Sequence, residues 1–170
     1  MTGPNREFTR QLLAAAPSLR AFAISLTGNV ERADDLVQDT MMRAWAGFAS
    51  FTEGTNLKAW LFTILRNAFT SQFRKRRREV EDADGEYAAT LVSPAGQESK
   101  AALDDMREAL AKLPAEQREA VLLVGASGFS YEEAAEICDC AIGTIKSRVN
   151  RGRAKLAELI YGPGYSGESD

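Results

Sequence analysis

The chain has 170 residues, 45% of them hydrophobic, with a formal net charge of −3, which supplies core material for one ordinary domain or two small ones. It holds no run of about eighteen apolar residues and opens on a polar segment, so neither a membrane span nor a signal peptide is read and a cytoplasmic location is expected. With no histidine and only Cys138 and Cys140, it lacks the ligands of a zinc site, and no metal or other cofactor is implied.

The net charge hides an uneven distribution. Residues 1–80 carry 12 basic and 7 acidic side chains, 81–112 carry 3 and 8, and 113–170 carry 6 and 9. Two stretches are basic without any acid. One holds Arg66, Arg74, Lys75, Arg76, Arg77 and Arg78; the other holds Lys146, Arg148, Arg151, Arg153 and Lys155. Basic clusters in an acidic background are the electrostatic footprint of nucleic-acid contact.

Strand signals are nearly absent, so the fold class is all-α. Arg6 to Ala15 and Pro17 to Leu26 read as two helical pieces, with Pro17 in a first turn and Gly28 as a stop. Asn29 caps a helix over Val30 to Phe48, whose apolar face is Ala33, Leu36, Val37, Met41, Ala44, Trp45 and Phe48. Asp34, Asp35, Gln38, Asp39, Met42 and Arg43 form its other face, which spacing alone reads as a solvated surface. A loop through Phe51 and Thr55 leads to Asn56, a cap for a helix from Leu57 to about Arg78. Its buried stripe is Leu57, Trp60, Leu61, Ile64, Leu65 and Ala68, while Phe62, Arg66, Asn67, Thr70, Phe73, Arg74 and Arg77 point elsewhere. Aromatic rings among arginines suit stacked bases and phosphates, although at least one of Phe62, Phe69 and Phe73 is ordinary core.

From Glu79 to Ser99 the helical period disappears and acids, Gly and Pro take over, the composition of a flexible acidic linker. The domains are therefore 1–78, a linker at 79–99, 100–161, and a flexible tail at 162–170. Ser99 to Lys112 is apolar at Leu103, Met106, Leu110 and Leu113, and a helix from Pro114 reaches Val124 before Gly125 to Gly128. Ser130 with Glu133 is a capping box for a short helix, Tyr131 to Ile137. Cys138 to Ala141 make a turn, in which Asp139 stands where a left-handed backbone favours glycine. A long helix follows from Ile142 or Gly143 to about Ile160, with Ile145, Val149, Ala154, Leu156 and Ile160 as inward candidates.

A short helix, a tight turn and a basic second helix form a helix-turn-helix, whose second helix enters the major groove. Thr144, Lys146, Ser147 and Arg148 stand near its start, where side chains reach base edges; Arg151, Arg153 and Lys155 suit phosphates. A basic helix that merely solvates a surface is the plain alternative, weakened by the capping box and the turn. Cys138 and Cys140 read as packed side chains of the turn. No nucleophile with a base and no Gly-rich phosphate loop is seen, so no catalytic residue is proposed and an enzyme is the weakest reading.

Four segments, ADDLVQDTMMRAW (33–45), NLKAWLFTILRNAFTSQFRKRRR (56–78), LAKLPAEQREAVLL (110–123) and SYEEAAEICDCAIGTIKSRVNRGRAKL (130–156), occur in an order and spacing that resemble an extracytoplasmic-function sigma factor. The wording is most like the alphaproteobacterial general-stress-response subgroup. The resemblance implies a transcription initiation factor that binds core RNA polymerase and directs it to promoters. It implies that Asp34, Asp35, Gln38, Asp39, Met42 and Arg43 dock on the β′ clamp helices, with further contact to the β flap. Phe51, Thr55, Asn56, Lys58, Arg66, Asn67, Thr70, Arg74 and Arg77 would then hold the opened −10 element. Thr144, Lys146, Ser147, Arg148, Arg151, Arg153 and Lys155 would read −35 duplex. A small helical anti-sigma factor is implied as a further partner. The family usually has glycine at the position of Asp139. Two other readings remain: a sigma-mimicking decoy that sequesters the anti-sigma factor, and a conventional helix-turn-helix regulator. The first predicts a fused receiver domain and eroded basic clusters, and the second leaves residues 1–78 without a role.

Overall fold

Asn5 opens the first helix by accepting the Phe8 backbone N–H at 2.7 Å, and Gly28, at φ 67°, closes it. The computed structural model describes residues 3–82 and 99–165, which form two helical units with no strand among the described residues.

In the first unit, α1 runs unbroken from Arg6 to Thr27, where the sequence suggests two pieces divided at Pro17. Proline removes one backbone donor, but Pro17 lies on the exposed side. The buried stripe of Phe8, Leu12, Leu19, Phe22 and Ala23 packs on both sides of it and holds one helix through. Helix α2, Val30–Ala46, is capped by Asn29, which accepts the Arg32 N–H at 3.0 Å. It stops short of Phe48 because Gly47 closes it and Phe48–Ser50 turn as a 3-10 helix. Its buried face is Ala33, Leu36, Thr40 and Ala44. Thr40 is tolerated there because its hydroxyl donates to the Leu36 carbonyl at 2.8 Å. Trp45, expected inside, sits about 100° round the helix from Ala44 and is 48% exposed.

Helix α3, Leu57–Asp82, continues beyond the expected end at Arg78. Leu57, Leu61, Phe62, Leu65 and Ala68 are buried. Spacing puts Phe62 off the buried stripe, with core as the other reading open to it and to Phe69 and Phe73; its ring packs 5.0 Å from Phe22 of α1 and is fully buried. Contact with α1 widens the apolar face beyond what α3 shows by itself. From residue 71 to 79 every side chain is exposed, so the basic end of α3 stands in solvent.

The second unit begins with α4, Ser99–Ala111, followed by α5, Ala115–Val121, and a π-helical turn, Leu122–Ala126. Of the apolar positions Leu103, Met106, Leu110 and Leu113, the first two are exposed, whereas Leu110 and Leu113 pack with Ala109 on Leu156. Helix α6, Tyr131–Cys138, has the complete capping box: the Glu133 N–H donates to Ser130 Oγ at 3.0 Å and the Ser130 N–H to Glu133 Oε1 at 3.1 Å. Asp139 then takes φ 51°, the left-handed conformation that ends the helix. Helix α7, Ile142–Tyr161, buries Ile145, Val149, Gly152 and Leu156. Ala154 and Ile160, proposed as inward, lie off that stripe and are exposed. The expected linker at 79–99 begins as the last turn of α3; residues 83–98, and 166–170 of the expected tail, lie outside the described residues.

Candidate nucleic-acid interface

The turn between α6 and α7 is built by backbone hydrogen bonds. The Asp139 N–H donates to the Glu136 carbonyl at 3.2 Å and the Cys140 N–H to the Ala135 carbonyl at 3.0 Å, the pairing that a left-handed residue after a helix makes possible. Ala141 precedes α7 and, lacking a side-chain acceptor, makes no side-chain cap hydrogen bond to it. Beneath the turn, Cys138 is buried and its Sγ donates to Glu119 Oε1 at 3.5 Å, while Cys140 is half-buried; both are thiols.

Burying Ile145, Val149, Gly152 and Leu156 turns the opposite side of α7 outward. Lys146, Arg151, Arg153 and Lys155 are exposed; Thr144, Ser147 and Arg148 are half-buried. Thr144, Ser147, Arg148 and Arg151, at helical spacing, share a cleft of about 460 Å³ with Pro114, Glu116, Gln117 and Gly143. Two of these bases are held from other helices. Arg148 Nη2 lies 3.4 Å from Glu116 Oε2 of α5, and Lys146 Nζ lies 5.9 Å from the centre of the Tyr131 ring of α6. Lys155 pairs with Glu158 on its own helix at 3.6 Å. Sequence reasoning missed Glu116 and Tyr131, since nothing local to either residue announces a partner on α7. Nearby, burial lowers the Arg118 guanidinium below its ordinary value, and its Nη2 donates to the Leu113 carbonyl at 3.3 Å.

In the first unit, Phe51 is half-buried in a ring cluster, 5.2 Å from Trp60 and 5.9 Å from Phe8. Thr55 is exposed and its hydroxyl donates to the Thr52 carbonyl at 2.6 Å. Asn56 caps α3 by accepting the Ala59 N–H at 3.2 Å. Both residues therefore shape the loop as well as line it. Lys58 places Nζ 5.8 Å from the Phe62 ring. Along α3, Asn67, Thr70, Arg74 and Arg77 recur on one face, with Arg66 beside it. Thr70 returns its hydroxyl hydrogen bond to the Arg66 carbonyl at 2.9 Å. Phe73 is 48% exposed and leans on Phe69 at 6.2 Å.

The strip on α2 is open to solvent and partly self-neutralised. Arg43 pairs with Asp39 at 2.9 Å, and Asp34 is engaged by Arg20 of α1 at 2.7 Å. Asp35, Gln38 and Met42 are exposed, and Met42 with Trp45 adds an apolar centre to a polar surround. That composition is common in protein interfaces.

Residues 13–79 match sigma-70 region 2, and residues 103–156 match sigma-70 region 4. Over 150 residues the chain is 67% identical to the ECF RNA polymerase sigma factor EcfG of Rhodopseudomonas palustris, spanning 88% of this chain and 83% of that one. The chain belongs to the extracytoplasmic-function sigma factors. This sigma factor is also 34% identical over 151 residues to SigM of Bacillus subtilis, covering 86% of this chain and 90% of that one. Among solved structures, the sigma factor RpoE of Bartonella quintana, co-crystallised with the anti-sigma factor NepR, matches with a TM-score of 0.86 and 57% identity, covering 92% and 98% of the two chains. A PhyRSL–NepR complex from Sphingomonas, at 24% identity and a TM-score of 0.64 over 95% and 96% of the chains, shares the fold. The region 2 match ends on the basic end of α3, and the region 4 match of the sigma factor contains α6, the turn and α7 as far as Leu156.

Proposed function

We propose that this sigma factor gives core RNA polymerase its promoter choice through two separate contacts. Region 4 reads −35 duplex through Thr144, Lys146, Ser147 and Arg148, with Arg151, Arg153 and Lys155 on phosphates. Region 2 holds the opened −10 strand through Phe51, Thr55, Asn56, Lys58, Arg66, Asn67, Thr70, Arg74 and Arg77, offsetting the few kcal/mol that extruding a base costs. The strip Asp34, Asp35, Gln38, Asp39, Met42 and Arg43 docks on the β′ clamp helices. The observation that carries the reading is the outward face of α7, which gathers two hydroxyls and two arginines within a helix-turn-helix.

The domain boundaries proposed are 1–78 for region 2, 79–99 for the linker, 100–161 for region 4 and 162–170 for the tail. The protein acts in the cytoplasm, where polymerase works, and has no catalytic activity of its own; polymerase does the chemistry. Its activity belongs to a general stress response and is restrained by a small helical anti-sigma factor of the NepR kind, in line with the similarity to RpoE. With a net charge of −3, the isolated chain binds promoter duplex weakly until polymerase holds both contacts in place.

The test mixes purified protein with core polymerase and a promoter library and sequences the transcripts. New start sites that share −35 and −10 motifs are expected. Binding of the anti-sigma factor without any new start site would make the chain a decoy and overturn the reading. Arg148→Ala is expected to weaken the best promoter by about 1–3 kcal/mol and to relax one −35 position. An equal loss on all sequences would reassign Arg148 to a phosphate.

A further inference from the structure

An arginine on a reading helix has two competing uses. It can donate to a base edge, which carries sequence information, or to a phosphate, which carries none. Its long side chain also loses rotamer freedom when it commits to either. Arg148 is already constrained: Nη2 lies 3.4 Å from Glu116 Oε2 across the cleft between α7 and the start of α5. The arginine side chain is 24% exposed and the glutamate 72%, so the arginine is the packed member and the acid the accessible one.

We propose that Glu116 is a positioning residue that determines −35 specificity by holding the Arg148 guanidinium ready for a base. A guanidinium presents five N–H donors in a rigid fork. Glu116 engages one nitrogen, and the remaining donors stay available to guanine O6 and N7 in the major groove. The same carboxylate disfavours a phosphate oxygen beside the Arg148 guanidinium, so Arg148 is steered away from the backbone and toward a base. An exposed pair of this kind contributes little to folding, and its effect is therefore read in base choice. The inference rests on the reading of α7 as the −35 helix.

The experiment compares holoenzymes carrying the wild-type chain, Glu116→Gln, Arg148→Ala and the double variant on promoters randomised across the −35 element, at two salt concentrations. Glu116→Gln is expected to reduce the preference at one −35 position by about tenfold. The position is the one that Arg148→Ala relaxes, and the double variant behaves as Arg148→Ala alone. Glu116→Asp, which keeps the charge, recovers part of the preference. If Arg148→Ala relaxes a position and Glu116→Gln does not, the positioning role is wrong. Stronger binding to all sequences, with a steeper salt dependence and an unchanged preference at every −35 position, makes Glu116 a general repulsive charge and also overturns it. If Arg148→Ala changes no preference, base reading by Arg148 fails first and the proposal fails with it.

Discussion

Gly152 of α7 lies so close to Val121 of α5 that a Cβ added to the glycine would stand 2.6 Å from Val121 Cγ2 and 3.3 Å from the Gln117 carbonyl oxygen. This approach sets how far α7 stands from α5, and so how Arg148 meets Glu116. Helix propensity alone favours alanine here by about 1 kcal/mol. Overpacking against a stiff β-branched neighbour costs about 1–3 kcal/mol. Gly152→Ala is therefore expected to lower the melting temperature, and Val121→Ala in the same chain to recover part of the loss. A Gly152→Ala protein more stable than wild type would show that the helices can separate without cost.

Asp139 ends α6 at φ 51° without the freedom of glycine. Asp139→Gly removes the steric cost of the left-handed conformation but adds chain entropy to the unfolded state, for a net gain of about 0.5 kcal/mol. Asp139→Val is expected to lose about 1–2 kcal/mol. Denaturant unfolding of the two variants checks the order, and a valine variant as stable as the glycine one would mean that the turn relaxes out of this conformation.

Phe62 is fully buried against Phe22. Its replacement by alanine leaves a cavity between α1 and α3, expected to cost about 3–5 kcal/mol in the first unit. A loss below about 1 kcal/mol, in the range of surface changes, would contradict a core role.

Glu7, in the first turn of α1, accepts from Arg10 Nη2 at 2.6 Å and from Gln11 Nε2 at 2.6 Å. The Arg10 side chain, then the Gln11 amide, lower its carboxyl from 4.5 to about 2. A carboxyl lowered on folding contributes fully above pH 4.5 and loses its contribution as the pH falls toward 2. An NMR titration of the Glu7 side chain is expected to give a midpoint near 2, and Arg10→Met to raise it. A midpoint of 4.5 in the unaltered chain would show that solvent dissolves the contact.

Features that depend on a few adjoining residues were legible in the sequence. Ser130 and Glu133 meet within one turn, so their capping box is a property of spacing. The need for a left-handed residue after α6 was likewise visible at Asp139, because backbone sterics act locally. Ile145, Val149 and Leu156 mark the buried side of α7, and that side alone dictates which bases face out.

Tertiary structure decided what depends on a neighbour's position. Phe62 and Trp45 are both aromatic residues of amphipathic helices, yet α1 covers the first and leaves the second half open. Pro17 stays inside a helix because packing on either side outweighs one lost hydrogen bond. Gly152 lowers the helix propensity of α7, and only the placement of Val121 against it shows what the missing side chain allows. The sequence by itself determined two helical units, a basic second helix in the helix-turn-helix and the family of the chain. The burial of each face, and the pairing of Arg148 with Glu116, arose only in three dimensions, since contact between distant segments follows from how helices pack and not from their periodicity.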